Sequence, residues 1–259
     1  MKRNESFDKM AALYDKIRPS YPEQLIEDII GKTQITSSAR LLEIGAGTGK
    51  ATVQFAKKGF TIDCIEMGEN LSIVLKFNCE EYPKVNVDVS TFEEWETEDI
   101  NIYDLVYCAQ AFHWIDKKVK YKKTHSLLKD NGYLALFWYQ NSGETTEILN
   151  EINSMIKSYV PDFFENEVEK ASYIEGREMR RLEIIESGLF NNPEIIEYTV
   201  DSLIDVDTYI QSISTYSRFA VLSDELQNKL SEEIRRIITN NGGYVSSKIA
   251  YTLYLAKKV

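Results

Sequence analysis

The chain of 259 residues has no long hydrophobic run. Its longest uninterrupted stretch of apolar and aromatic residues, Tyr133 to Tyr139, falls far short of the roughly 20 residues a membrane span requires. The opening Met1-Lys2-Arg3-Asn4-Glu5-Ser6 has positive charge but no apolar stretch behind it, so no secretory signal is expected. Cysteine is scarce: Cys64, Cys79 and Cys108 are odd in number and lack paired spacing, which argues against a disulfide framework and a structural zinc site. They read as small buried hydrophobes in a reducing cytoplasm. Histidine is scarcer still, with only His113 and His125, and His125 reads as a structural residue on a surface helix. No His, Cys and carboxylate cluster has ligand spacing, so no metal is expected. Gly-x-Ser-x-Gly is absent, and no Ser-His-Asp set is visible.

Positive charge is also in deficit, with 30 Lys and Arg against 41 Asp and Glu, a net charge of -11. Nucleic-acid binding draws much of its affinity from neutralised phosphates, so a pI near 4.9 argues against a non-specific DNA or RNA binder. The nearest basic cluster, Lys117-Lys118, Lys120 and Lys122-Lys123, spreads around a helix and reads as a solvated face. What is present is an ordinary globular balance, 43% hydrophobic and 27% charged, enough for a full core.

Five short apolar runs recur through the first 140 residues: Arg40 to Ile44, Thr61 to Glu66, Val85 to Val89, Tyr103 to Cys108 and Gly132 to Trp138. Helical spacing separates them over Lys50 to Lys58, Gly68 to Cys79 and Lys117 to Leu128, and a leading helix is expected from Pro22 to Ile30, ending at Gly31. Such alternation predicts a parallel sheet covered on both faces. From Gly143 to about Ser187 the chain becomes polar and helix-like, with Ile148, Ile152, Met155, Ile156 and Tyr159 at helical spacing. A strand over Glu194 to Val200, helices over Asp205 to Tyr216 and Asp224 to Asn240, and a strand over Lys248 to Ala256 complete the pattern. The turn before that last strand is Asn241-Gly242-Gly243.

The most informative segment is Leu41-Leu42-Glu43-Ile44-Gly45-Ala46-Gly47-Thr48-Gly49-Lys50. It leaves a buried strand, turns through three glycines and enters a helix, which lets backbone amides approach a ligand closely. A dinucleotide fingerprint would need glycine at position 50, and a nucleoside-triphosphate loop would need glycine at 44 and Ser or Thr at 51, where Ile44 and Ala51 stand. What remains is Gly-x-Gly-x-Gly after an acid, Glu43, and a second acid, Glu66, at the end of the next strand. A carboxylate there can accept both ribose hydroxyls of a nucleoside. The implied ligand is an adenosine compound without a pyrophosphate.

These segments resemble the class I S-adenosylmethionine-dependent methyltransferases. Glu43 to Gly49 is similar to their first motif, Ile65-Glu66-Met67 to the ribose-binding second, and Val87-Asp88-Val89-Ser90-Thr91-Phe92-Glu93 to the third-strand segment beside the adenine, though it departs from the commoner Asp-Ala pattern. Tyr103-Asp104-Leu105-Val106 resembles the fourth strand, and Leu127 to Leu134 the helix-turn-strand that follows. Tyr14-Asp15-Lys16-Ile17-Arg18-Pro19-Ser20-Tyr21-Pro22 resembles the N-terminal segment of the methyltransferase-11 type. Ala109-Gln110-Ala111-Phe112-His113-Trp114-Ile115-Asp116 resembles the segment after strand four in the trans-aconitate-methyltransferase-like branch, and Thr215-Tyr216-Ser217 a C-terminal segment of such proteins.

The resemblance implies an α/β, Rossmann-like, doubly wound seven-stranded and mostly parallel sheet, in one methyltransferase domain over residues 1–259. Residues 1–31 would form an N-terminal lid, and 143–187 and 205–222 a helical cover over the acceptor. It implies S-adenosylmethionine as cofactor, S-adenosylhomocysteine as product and a small-molecule acceptor, such as a carboxylate or hydroxyl. Alternatives are methylation of tRNA or protein, or cofactor binding without catalysis. Expected cofactor contacts are Tyr14, Arg18, Glu43, Gly45, Ala46, Gly47, Gly49, Glu66, Met67, Ser90, Thr91, Phe92, Ala109 and Gln110. Expected acceptor contacts are Tyr21, His113, Trp114, Trp138 and Tyr216. Aromatic faces such as these attract a sulfonium. Arg18 could instead pair with a substrate carboxylate, and His113 could serve as general base, as a donor to the acceptor or as a structural residue. No self-complementary apolar stripe indicates an oligomer.

Overall fold

The computed structural model describes residues 11–141, 146–164, 168–214 and 217–259. Strands β1 (Arg40–Ile44), β2 (Thr61–Glu66), β3 (Val85–Val89), β4 (Tyr103–Ala109), β5 (Leu128–Asn141), β6 (Glu194–Asp205) and β7 (Tyr244–Lys257) form one sheet in the order β3-β2-β1-β4-β5-β7-β6. The pairs β1 with β2, β1 with β4, β2 with β3 and β4 with β5 are parallel. The chain therefore steps outward from β1 to β3 and then returns to place β4 on the other side of β1. That reversal opens a crevice at the carboxyl ends of β1 and β4, where open α/β sheets bind ligands.

Helices α1 (Ala11–Ile17), α2 (Glu23–Thr33), α3 (Thr52–Ala56), α4 (Glu69–Asn78) and α5 (Lys117–Leu127) occupy the first part of the chain. Further along come α6 (Glu147–Tyr159), α7 (Val168–Glu186), α8 (Val206–Ser214), α9 (Ser217–Ala220) and α10 (Asp224–Asn240). Among the described residues, no helix is long and apolar enough to cross a membrane. The chain packs as two compact units: one from the described parts of Met1–Tyr139 with Arg177–Tyr198 and Tyr251–Val259, the other from Gln140–Gly176 and Thr199–Ala250.

In the first unit, β1 and β4 are buried almost residue by residue because the sheet is covered on both faces, which is why they read as mainly apolar runs despite Glu43 and Asp104. Leu42, Ile44, Val106, Leu134, Leu136 and Tyr254 share one continuous core. Helix α2 buries Leu25, Ile26 and Ile29, and it runs past Gly31 to Thr33, where Gln34 takes a left-handed φ of 55° and stops it. Strand β5 begins at Leu128, before the expected Gly132. Tyr103 pairs with Leu128 but Leu105 with Tyr133, so residues 129–132 bulge out, with Asn131 at φ 67°.

The lysines of α5 are not a uniformly solvated face. Lys120 is buried, with its ammonium 2.9 Å from Glu183 and over the rings of Phe112 and Tyr121. Lys123 donates to the carbonyls of Phe92, Glu93 and Trp95. Long aliphatic stems let both residues serve the core while carrying charge. The three cysteines are free and buried, as expected, and His125 contacts the Val259 carbonyl and the Phe190 ring.

The second unit has its own core. Ile152 and Ile156 of α6 and Leu230, Ile234, Ile237 and Ile238 of α10 are buried at helical spacing. Thr146 caps α6 by accepting from the Leu149 amide, and Ser223 caps α10 by accepting from Leu226. The turn after α10 uses Gly242 and Gly243 at φ 97° and 85°, so the glycine signal there was read correctly.

Candidate functional site

The turn after β1 depends on glycine for two separate reasons. Gly45, Gly47 and Gly49 have φ of 68°, 59° and 87°, in the left-handed region that side chains resist. In addition, a Cβ on Gly45 would lie 2.5 Å from the Ala111 Cβ, and one on Gly49 would lie 2.6 Å from Leu75. Gly47 faces open space, so the turn presents bare backbone outward. The turn is tied down by amides of Gly45 and Ala46 donating to the Ile65 carbonyl, and by the Asn78 amide donating to the Thr48 carbonyl at 2.9 Å. Lys50 pairs with Asp15 at 3.4 Å. The helix that follows, α3, has only five residues, so the turn's own amides rather than a long helix dipole give the site its donors.

The two acids have different jobs. Glu66 is buried at the end of β2, where Oε2 accepts from the Gly47 amide at 2.7 Å and Oε1 from the Gly68 amide at 2.8 Å. It thus faces the glycine turn from the neighbouring strand. Glu43, expected among the cofactor contacts, is instead turned inward: it is 1% exposed and accepts from the Thr52 hydroxyl at 2.5 Å and the Tyr107 hydroxyl at 2.8 Å. Burial pushes its carboxyl up to about 8, against those two hydrogen bonds, and the Glu66 carboxylate adds to the rise. Glu43 therefore supports the turn from beneath.

After β3 the Ser90 amide donates to the Glu66 carbonyl, and Thr91 closes a local turn by accepting from the Glu94 amide. Phe92, also expected at the cofactor, has its ring in the core under Lys123. The apolar side chains at the open carboxyl edge are Met67, after β2, and Val89, at the end of β3, both about half exposed.

At the end of β4, Ala109 is followed by Gln110 at a left-handed φ of 68°. Its amide donates to the Phe137 carbonyl and its side chain to the Tyr139 carbonyl at 3.1 Å, which brings the β4 and β5 ends together. Ala111 then presses on Gly45, so the segment carrying His113 starts against the glycine turn. A single 3-10 turn over Phe112–Trp114 buries Phe112 and exposes His113 and Trp114. The buried Trp138 donates from Nε1 to His113 Nδ1 at 3.4 Å.

Alternation along β5 sends Tyr139 to the opposite face from Trp138. There Arg18 donates to the Tyr139 hydroxyl at 3.5 Å, and Tyr21 packs against Phe137, Tyr139 and Tyr251. The structure thus gathers Gly45, Ala46, Gly47, Gly49, Glu66, Met67, Ser90, Thr91, Ala109 and Gln110 around one carboxyl edge. His113 and Trp138 flank it on one face, and Arg18 and Tyr21 on the other. The Tyr14 side chain and Tyr216 lie outside the described residues. Asn78, Thr52 and Tyr107 were missed by sequence reasoning. Each acts by holding the turn from another element, and no local pattern marks it.

A switch-point crevice with a glycine turn and a facing carboxylate defines a Rossmann-like nucleotide-binding protein. Residues 42–134 match a family described as a methyltransferase domain. An uncharacterized methyltransferase of Schizosaccharomyces pombe is 27% identical over 259 residues, covering 98% of this chain and 97% of that protein. An uncharacterized methyltransferase of Mycobacterium tuberculosis is 30% identical over 133 residues, so the chain spans about half the length of that relative, 51%, with 51% of its own. A solved structure from Anaeromyxobacter dehalogenans, provisionally named a type II methyltransferase, shares the fold at a TM-score of 0.64 with 15% identity, over 93% of this chain and 97% of that one. The domain match and the relatives support an enzyme, a class I S-adenosylmethionine-dependent methyltransferase.

Proposed function

We propose that this chain transfers a methyl group from S-adenosylmethionine to a small-molecule acceptor bearing a carboxylate or hydroxyl, releasing S-adenosylhomocysteine. The observation that carries the reading is the convergence of the Gly47 and Gly68 amides on Glu66, where a Cβ on Gly47 would meet no described atom within 4 Å. A carboxylate has about four lone-pair sites, so two amide bonds are compatible with accepting ribose hydroxyls as well. The exposed Met67 and Val89 offer an apolar bed for a purine at the same edge. When bound, the cofactor supplies an electrophilic methyl group on a sulfonium.

The rest of the chemistry belongs to the chain. Holding donor and acceptor in line and excluding water can contribute roughly 7 to 11 kcal/mol, and this is the task of Gln110, His113 and the aromatic side chains around β5. With its Nδ1 accepting from Trp138, a neutral His113 carries its proton on Nε2. A base acting through Nδ1 would first have to give up the indole. Kinship with the trans-aconitate-methyltransferase-like branch rests on the Ala109 to Asp116 segment and is part of this proposal. Calorimetric titration with S-adenosylhomocysteine tests the reading. Micromolar binding is expected, weakened about 10- to 100-fold by Glu66→Ala, which removes charge-assisted hydrogen bonds of roughly 1.5 to 3 kcal/mol. Absence of binding below millimolar concentration, or an unaffected Glu66→Ala variant, would refute it.

A further inference from the structure

Arg180, on α7, stacks its guanidinium on the face of the Trp138 ring, 4.4 Å from the centroid. Its basic neighbours on the same helix are paired: Arg177 with Glu197 at 2.8 Å, and Arg181 with Glu178 at 3.1 Å. Glu183, the next acid along, is held by Lys117 and Lys120. Arg180 makes no ion pair or hydrogen bond with any described residue, although the chain has eleven more acidic than basic side chains. Stacking occupies the face of a guanidinium and leaves its in-plane N–H fork available, which is the geometry that receives a carboxylate with two parallel hydrogen bonds. The same indole touches His113 at its N–H edge. One aromatic ring therefore carries a cation on its face and a neutral donor at its rim, one residue beyond the Phe137 carbonyl to which the β4 end is bonded.

We infer that Arg180 is the residue that binds the acceptor, and that the acceptor is a carboxylate held by the Arg180 fork beside the Trp138 ring. This rests on the transferase reading above and names its substrate class. A single unpaired guanidinium matches one negative charge. A phosphate dianion would call for further cations, and Lys117 and Lys120 are already taken up by Glu183. The same indole contacts His113, two residues beyond the Ala111 whose Cβ a Cβ on Gly45 would meet at 2.5 Å, and this chain of neighbours connects Arg180 to the glycine turn.

The test uses the full chain labelled with 15N at tryptophan, whose three indole signals are assigned with Trp95→Phe, Trp114→Phe and Trp138→Phe. Benzoate and succinate, added in the presence of S-adenosylhomocysteine, are expected to shift the Trp138 indole signal saturably. Benzamide and succinamide, their neutral counterparts, are expected to leave it in place. Arg180→Gln is expected to weaken the benzoate response about tenfold or more, and Arg180→Lys, a point charge without the fork, to fall between. Circular dichroism and S-adenosylhomocysteine titration of each variant check the fold and the cofactor site. Equal responses to benzoate and benzamide, an unchanged Arg180→Gln, or a stronger response to inorganic phosphate than to either carboxylate would overturn the inference while intact S-adenosylhomocysteine binding left the transferase reading standing. No binding of S-adenosylhomocysteine to the wild type would remove both.

Discussion

The buried Glu43 makes stability pH-dependent in a direction opposite to that of most carboxylates. Its carboxyl rises from an ordinary 4.5 to about 8 because β1 takes it out of water. The folded chain thus holds a proton that the unfolded chain releases between those values. Stability from this group is complete below pH 4.5, falls as pH rises toward 8, and is level above. At about 1.4 kcal/mol for each pH unit over that window, the loss is on the order of 4 kcal/mol between pH 5 and pH 9. The Glu43→Gln variant keeps an oxygen that can accept from Thr52 and Tyr107 and has nothing to ionise. Urea unfolding of both proteins at pH 5, 7 and 9, followed by tryptophan fluorescence, isolates the effect, since Trp95, Trp114 and Trp138 all lie in the unit that contains Glu43. The variant is expected to gain on the wild type steadily with pH, by about 4 kcal/mol over the range. A difference constant to within about 0.5 kcal/mol across the three pH values would show that the folded carboxyl titrates normally and that burial does not govern it.

Gly45→Ala combines a left-handed backbone with a Cβ 2.5 Å from Ala111, so it is expected to destabilise by about 2 to 5 kcal/mol and to weaken S-adenosylhomocysteine binding, read by thermal unfolding and calorimetry. Glu183→Ala strips the ion-pair partner from the buried Lys120 and is expected to lower stability by about 3 kcal/mol in the same urea assay. Adding Lys120→Met to that variant should recover most of the loss, because the stranded charge rather than the missing contact causes it.

Much of the fold was legible because its signals are local. The first three strands were bounded correctly, since each is a short run rich in apolar and β-branched residues that stops at turn residues: β1 and β2 are buried along nearly their whole length, whereas β3 alternates valine with Asn86 and Asp88. The glycine turn and Glu66 could also be read, because positive φ and close backbone approach demand glycine in the sequence itself. Errors arose where partners are distant. Glu43 has the spacing of a ligand contact, yet Thr52 and Tyr107, nine and sixty-four residues away, hold it inside. Phe92 and Lys120 were misjudged for the same reason, since their core neighbours come from other elements. The bulge at 129–132 was read as a turn outside the strand, because pairing register is set by β4 and not by the residues of β5.

The sequence by itself determined the strand and helix periodicities, the order in which they alternate and the one turn that needs three glycines, because each follows from the chemistry of neighbouring residues. Only the tertiary structure decided which acid faces the turn and which supports it, which lysines enter the core and which arginine stacks on a tryptophan without an ion-pair partner among the described residues. Those outcomes depend on desolvation and on partners brought together across tens of residues, and both come into being only when the chain closes on itself.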